Sequence, residues 1–413
     1  MRERASGEAT GGSRSEAVGR INGVTVRRAW VPLEVSWRDP GRVLRRRSVL
    51  VLGLSALAVV AAACAPNATQ STLEPAGPNA EKAYNLFVPV FWVAAAIFFL
   101  VEGALVVFLV RYRHRKSRSG IPPQTHGNTR LEVAWTILPA LILAGIAVPT
   151  IATIWDLSSE PEGDVLEVNV LGHQWWWEFE YPEQGIITAN ELHIPTGRPV
   201  FLTLCAAGFG YEGQPAPSAC QLGPPEGPPA AAVGASVIHS FWVPELAGTT
   251  DVIPNQTNTM TLEADEPGTY EGQCKEFCGL SHAYMRFTVV AHAPEEFDQW
   301  VRDQQADAVT PAAGSPGTEG VRIFAQRCTA CHTIDGLQDP NGEPIVGSNA
   351  APNLTHLMSR SCFRGCTFPL TRQNLERWLR DPQAMEAGSF MVLEPQLTEQ
   401  EIDALVEFLL TLR

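Results

Sequence analysis

Positive charge is scarce in this sequence: 30 Lys and Arg stand against 44 Asp and Glu, giving a net charge of -14 and a pI near 5.2. That balance argues against nucleic acid as a partner and leaves either plain solubility or attraction of a basic protein. Residues 1–40 lack hydrophobic periodicity and read as an extension without assigned structure, or as a start codon placed too early. No residue has the look of an oxygen-binding or oxygen-reducing group. Cysteine, by contrast, is present nine times, and all but Cys64 fall in spaced pairs: Cys205 and Cys220, Cys274 and Cys278, Cys328 and Cys331, Cys362 and Cys366. Pairing of that kind fits an extracytoplasmic chain better than a reduced cytosolic one.

Long apolar runs are confined to the first third. Arg45, Arg46 and Arg47 precede the apolar stretch 49–63, the layout of a secretory signal. Ala62 and Ala63 before Cys64 also permit lipid attachment at that cysteine, although Ala61 is a weak substitute for leucine in such a site. Residues 86–110 and 131–154 are each long enough to cross a bilayer core. The Arg-rich loop between them, opening RYRHRKSR, places that loop in the cytoplasm by the positive-inside rule and everything after Asp156 outside. Glu102 lies mid-span, where charge is costly. Glu132, at the start of the second span, reads as an ordinary solvated end residue.

From Val165 onward short β-rich segments (VLEVNV, WWWEFEY, ELHI, PVFLTL, SVIHSFWV, NTMTLEA, GTYEGQ, AYMRFTVV) alternate with Gly, Pro and Asn, which predicts a Greek-key β-sandwich. A Pro/Gly/Ala-rich insertion, 204–235, is bracketed by Cys205 and Cys220, and a disulfide there would close a long excursion. The stretch GQCKEFCGLSHAYMRF sets Cys274, Cys278, His282 and Met285 on one loop, and His239 in SVIHSFWVP is the best further imidazole. Thiolate, imidazole and thioether together suit copper. A Cys274–Cys278 disulfide and a Cys2His2 zinc site remain open on these residues alone, though neither uses Met285. Trp175, Trp176 and Trp177 must alternate between the two faces of a strand, and an exposed one beside a redox centre could dock a donor.

After an amphipathic helix from Pro294 to about Ala306 comes the linker DAVTPAAGSPG, then CTACH, the C-x-x-C-H signature of c-type haem attachment. Cys328 and Cys331 would form the thioethers and His332 the proximal bond to iron. Met358, Met385 and Met391 follow as possible sixth ligands. Cys362 and Cys366 have no histidine close in sequence, which favours a disulfide over a second metal site. Thr398 and Glu401 form a capping box ahead of the final helix.

With GHQWWWEFEY, VIHSFWVP, DVIP and GQCKEFCGLSHAYM in that order after LEVAWTILP, the chain from about Tyr84 to Trp300 resembles subunit II of the haem-copper cytochrome c oxidases, and the segment after it resembles small cytochromes c. The resemblance implies a two-helix transmembrane hairpin (84–156), a cupredoxin-like Greek-key β-sandwich (160–306), a linker (307–317) and an all-α cytochrome c domain (318–413), preceded by an unassigned extension (1–47) and a signal segment (48–64). It implies a binuclear CuA centre with Cys274 and Cys278 bridging, His239 and His282 each on one copper, and Met285 and the main-chain carbonyl of Glu276 as weak ligands. Trp175 would be the point of electron input and Glu132 the mouth of a proton path. The cytochrome likeness puts the distal haem ligand at Met391, with Met385 second. The family usually carries Asp three residues before the copper histidine, where it helps Glu276 hold Mg2+. Ser236 stands there instead, so the resemblance supports that magnesium only weakly.

The expectation is therefore an electron-input subunit in a bacterial cytoplasmic membrane, with both redox domains outside. It would take electrons from an external cytochrome or a quinol:cytochrome c reductase through haem c to CuA, and on to subunit I, where O2 is reduced and protons are pumped. A subunit of a nitric oxide reductase and a membrane-tethered carrier or copper module without an oxidase are the alternatives.

Overall fold

The structure is a computed structural model that describes residues 51, 53–55, 58, 68–113, 124, 126–206, 237–254, 256–312, 314–315, 317–339, 341–361 and 363–413. Cys64, Cys220, Ser236 and Cys362, on which several sequence expectations fall, lie outside the described residues. The described residues from 68 to 413 belong to one compact unit.

Two long helices open that unit, α1 (Pro78–Tyr112) and α2 (Thr129–Ser158). Both are apolar enough to cross a membrane, and their hydrophobic side chains point outward, as expected of helices whose solvent is lipid or a partner's helices. The Asn128 side chain caps α2 by accepting from the N–H groups of Arg130 and Leu131, so two of the helix's free donors are satisfied. At the ends nearest the β domain Lys82 and Asp156 form an exposed ion pair at 2.7 Å. The start of α1 is tied to the β domain: Ala76 N–H donates to Glu245 O at 2.7 Å, and Asp265 N–H donates to Ala76 O at 3.0 Å.

The β domain comprises β1 (Leu166–His173), β2 (Trp176–Tyr181), β3 (Ile186–Ala189), β4 (Glu191–Pro195), β5 (Val200–Ala206), β6 (His239–Trp242), β7 (Thr249–Val252), β8 (Asn258–Leu262), β9 (Gly268–Cys274) and β10 (Arg286–His292). They form two five-stranded sheets, ordered β3-β2-β1-β5-β8 and β4-β10-β9-β6-β7. Pairing is antiparallel except for β1 with β5 and β4 with β10. The inner faces meet on an aromatic cluster in which Trp177, Phe179, Phe241 and Phe287 are all essentially inaccessible. Trp177 meets Phe241 edge-on at 5.3 Å, and Phe241 stacks on Phe287 at 4.4 Å, arrangements that add to the gain from burial. Only two of the three tryptophans lie in a strand, and these alternate: Trp177 fills this core, while Trp176 lies flat on His173 with centroids 4.0 Å apart; Trp175 belongs to the turn between β1 and β2.

Helix α3 (Pro294–Gln304) closes the sandwich, burying Phe297. Beyond it lie α4 (Thr318–Arg327), α5 (Arg372–Arg380), the short α6 (Pro382–Met385) and α7 (Glu399–Leu409). α7 begins with the expected capping box between Thr398 and Glu401. It crosses α4 so closely that a Cβ on Gly320 would stand 2.2 Å from Ala404 O, and Phe324 meets Phe408 edge-on beside this crossing. Cys205 and Cys366 each take part in a disulfide bond.

Candidate copper and haem sites

The copper loop is placed by the sheet. β6 and β9 pair with Phe241 opposite Cys274, and Lys275 N–H donates to Ser240 O at 3.0 Å. His239, at the head of β6, is thereby brought beside Cys274, with Nδ1 to Sγ at 3.9 Å. The loop then folds back, and Cys274 N–H donates to Met285 O at 2.9 Å. This leaves Cys274 Sγ 3.9 Å from Cys278 Sγ, Cys278 Sγ 3.6 Å from His282 Nδ1 and 3.7 Å from Met285 Sδ, and Glu276 O 3.2 Å from Cys274 Sγ.

Both thiols are free, and their separation is far beyond a disulfide bond of about 2.05 Å, so the disulfide alternative does not hold. Each imidazole sits beside a different sulfur, and four further donors surround the pair, making six in all. A single tetrahedral zinc takes four. The donor set therefore fits two soft metal ions bridged by the two sulfurs. His239, Cys274 and Cys278 are buried and converge within 4.8 Å. The hydrogen bond from Cys278, against burial and helped by His239, brings the Cys274 thiol down to about 4. The same bond, together with burial, raises Cys278. One proton thus leaves this pair readily and the second does not, and a bridging metal that displaces both protons would hold two thiolates where the protein alone holds one.

The haem signature forms a tight turn at the end of α4. Cys331 N–H and His332 N–H both donate to Cys328 O, at 3.0 and 2.9 Å, which sets the two free thiols and the imidazole at one cavity. Burial pushes the Cys328 thiol up to about 11. His332 Nδ1 lies 2.8 Å from Pro352 O. A carbonyl only accepts, so the ring proton is on Nδ1 and Nε2 is left as the ligating nitrogen. The loop carrying Pro352 is itself braced: Asn353 Nδ2 donates to Asp335 Oδ2 at 2.8 Å, and Asp335 N–H donates to Thr355 Oγ1 at 2.8 Å.

Cys328, Cys331, His332 and Met391 line one cavity, together with Trp378 and, from the β domain, Gln174, Trp175 and Trp176. Met391 Sδ accepts from Trp378 Nε1 at 2.9 Å. Met385 is buried but does not line this cavity, and Met358 packs at the margin of the helical core. Thiols, imidazole, thioether and apolar walls around one cleft fit a covalently attached haem.

Trp175 departs from its sequence reading as an exposed docking ring. It is 6% exposed, its Nε1 donates to Cys278 O at 3.2 Å, and Phe390 lies over it. Glu132 sits exposed in the first turn of α2, a favourable place for an acid at a helix N-terminus, while Glu102 is exposed on α1. The Glu276 side chain faces solvent, and only its carbonyl reaches the thiols. Sequence reasoning missed Trp378, Phe390 and Pro352, whose roles come from neighbours that no local pattern announces.

Three family profiles match in succession: the transmembrane domain of cytochrome c oxidase subunit II over residues 66–153, its periplasmic domain over 230–292, and cytochrome c over 317–413. Cytochrome c oxidase subunit 2 of Alkalihalophilus pseudofirmus is 33% identical over 368 residues, covering 88% of this chain and 96% of that one. The protein of the same name from Bacillus sp. strain PS3 is 32% identical over 359 residues, covering 83% and 91%. Quinol oxidase subunit 2 of Bacillus subtilis is 32% identical over 268 residues, covering 63% of this chain and 74% of that one. The crystal structure of the periplasmic domain of cytochrome oxidase subunit II from Bradyrhizobium japonicum, 23% identical with a TM-score of 0.27, covers 35% of this chain and 96% of that one.

Proposed function

Because this chain belongs to the cytochrome c oxidase subunit II family, and so serves electron input to a membrane-embedded haem-copper oxidase, we propose that its buried sulfur pair is the CuA centre and its C-x-x-C-H cavity the haem c site. Cys274, Cys278, His239 and His282 would hold two coppers, with Met285 and the Glu276 carbonyl completing the donor set. Cys328 and Cys331 would anchor the haem, and His332 and Met391 would supply its protein ligands. Bound there, the two groups supply one-electron transfer with little change of geometry.

The protein's own contribution is to hold these donors still. The β6–β9 pairing fixes His239 against Cys274, the Met285 carbonyl closes the loop, and Pro352 sets the His332 tautomer. Trp175 joins the Cys278 carbonyl to the haem cavity and is the electron-input point. Glu132 marks the proton-path mouth toward subunit I. Both redox domains lie on the extracytoplasmic side, and an external cytochrome or a quinol:cytochrome c reductase is the donor. With Ser236 in place of a carboxylate, a boundary magnesium is not part of this proposal.

The observation that carries the reading is the pair of free sulfurs 3.9 Å apart with an imidazole beside each one. Metal analysis and electron paramagnetic resonance of the purified complex test it. Two coppers per chain with delocalised two-copper hyperfine structure are expected, and zinc or a single localised copper would refute it.

A further inference from the structure

Four charged side chains line the haem cavity: Arg327, Arg360, Arg364 and Glu386. The wall therefore carries an excess of two positive charges, which the two carboxylates of a haem would neutralise. Arg327 and Arg360 each already donate to a main-chain carbonyl, of Pro395 and Asn353 respectively. Arg364 is different. Its side chain is 5% exposed, its Nε donates to Glu386 Oε1 at 3.2 Å, and its Nη2 is buried with no acceptor among the described residues. Leaving a buried donor unsatisfied is costly, most of all on a charged group, so this nitrogen calls for an acceptor that the chain does not supply. Nor is Glu386 a full counter-ion: burial pushes its carboxyl above the ordinary carboxylate value, and Arg364 offsets this only in part.

The surroundings hold the guanidinium in one place. It stands 4.5 Å from the ring centroid of Tyr284, on the copper loop, and 5.6 Å from that of Phe368. Aromatic faces attract a guanidinium and leave the donors on its edge free for in-plane hydrogen bonds. The backbone here is left-handed at three successive residues, with φ of +51° at Arg364, +54° at Gly365 and +57° at Cys366. Only glycine adopts that conformation without steric cost, and it persists where the surroundings over-determine it. A Cβ on Gly365 would collide with Tyr284 O, and Cys366 is crosslinked. Glu191 Oε1, on an almost wholly buried side chain, accepts from both the N–H and the Oγ–H of Ser361, each at 2.7 Å. The loop that carries Arg364 is thus seated on the β domain at two points.

We infer that Arg364 is a cofactor-binding residue that takes a carboxylate of the haem through a charge-assisted hydrogen bond from Nη2, its plane fixed by Tyr284 and Phe368. The inference rests on the haem assignment proposed above. It concerns binding alone, and no covalent bond forms or breaks in this contact. A positive charge beside the haem disfavours the more positive ferric state, so Arg364 also raises the haem potential.

The test uses the oxidase complex containing the full chain: wild type, Glu386→Gln, and Glu386→Gln combined with Arg364→Gln. The double variant removes a whole buried ion pair, which is tolerated better than stranding one charge. Resonance Raman spectroscopy of the haem c carboxylate-bending band reads the hydrogen bond without turnover. That band should stay in place in Glu386→Gln and shift in the double variant. In equilibrium redox titrations the double variant should show a ferrous-to-ferric ratio roughly tenfold below that of Glu386→Gln, a midpoint lower by about 59 mV for one electron. A free anion could offer Arg364 similar chemistry, so the wild type is also measured with chloride exchanged for gluconate at constant ionic strength, and neither band nor midpoint should move. Should the double variant lose its haem, Arg364→Lys keeps the charge without the fork, and the band should shift while the midpoint holds. A band unmoved by either Arg364 substitution would leave Arg364 as no more than the partner of Glu386, and a chloride-dependent midpoint would assign it to a free anion; each overturns the inference. Absence of c-type haem bands from the wild type would instead overturn the haem assignment, so the two failures are separable.

Discussion

Thr355→Val should weaken the haem-bearing domain by an amount that its hydrogen bonds fix. Thr355 is 4% exposed, and valine matches its shape, so the substitution removes hydrogen bonds without opening a cavity. Its Oγ1 accepts from Asp335 N–H at 2.8 Å and has one proton to give, either to Asn353 Oδ1 at 2.6 Å or to Asp335 Oδ2 at 3.1 Å. Two hydrogen bonds are lost. Asp335 is at the surface, so water reaches its freed N–H, and Asn353 Oδ1 keeps the bond from Thr355 N–H at 2.9 Å. The cost is then that of two ordinary net hydrogen bonds, about 1 kcal/mol each, or ~2 kcal/mol together. With a urea slope of roughly 2 kcal/mol per molar for a small domain, the midpoint falls by about 1 M. The assay is urea unfolding of the full chain followed at the Soret band, which reports this domain alone. The loop braced by Thr355 carries the Pro352 carbonyl, so the optical signature of His332 ligation should loosen before global unfolding. An unmoved midpoint would show that the Asp335–Asn353–Thr355 network does not brace the proximal side.

Gly320→Ala drives a methyl group to 2.2 Å from Ala404 O and 2.5 Å from Phe408 Cβ. The α4–α7 crossing must open, at an overpacking cost of about 1–3 kcal/mol, read as a lower Soret-monitored melting temperature with the copper signal unchanged. Burial pushes the Glu191 carboxyl up, but hydrogen bonds from His193 and Ser361 outweigh burial and hold it below the ordinary carboxylate value. Its contribution to seating the two domains is therefore complete above the unfolded pKa of about 4.3 and is lost as pH falls through the lower folded value. Interdomain crosslinking yield should hold at neutral pH and drop on acidification below that range, and Glu191→Gln should remove this dependence. Met391→Ala should abolish the low-spin His/Met haem spectrum while Met385→Ala preserves it, since only Met391 lines the cavity, and the reverse outcome would move the distal ligand to Met385.

Most of the candidate donors were legible in the sequence because they are close together along the chain: Cys274 to Met285 lie on one loop, and Cys328 to His332 on one turn. The membrane helices and most strands were legible from apolar length and alternation. β3 and β7 were not. Each is four residues long and stands at the edge of its sheet, where pairing with β2 or β6 supplies an order that its own residues do not encode. The burial of Trp175 was equally hidden, because the residues that cover it, Gly388 and Phe390, come from a distant segment with no periodic signal. Glu191 reads in ELHI as an ordinary outward acid. Its burial depends on Ser361, beyond the linker, and no pattern within β4 could reveal it.

The two centres are not independent modules joined by a linker. Ser281 lies between two of the copper loop's donors, Cys278 and His282, and its hydroxyl is spent on Ala387 in the haem-bearing domain. Trp175 spends its N–H on the carbonyl of Cys278 and its ring face on Phe390. A displacement of residues 387–391 therefore acts on both proposed sites at once: on the proposed haem site through Met391, and on the proposed copper site through the loop that carries His282. Close-packed interfaces shift between discrete arrangements more readily than they deform, so undocking should change both sites together as one event. A tether alone raises the frequency of encounter between two partners. Seating of this kind fixes their geometry as well, which a donor arriving by diffusion must establish anew at each encounter.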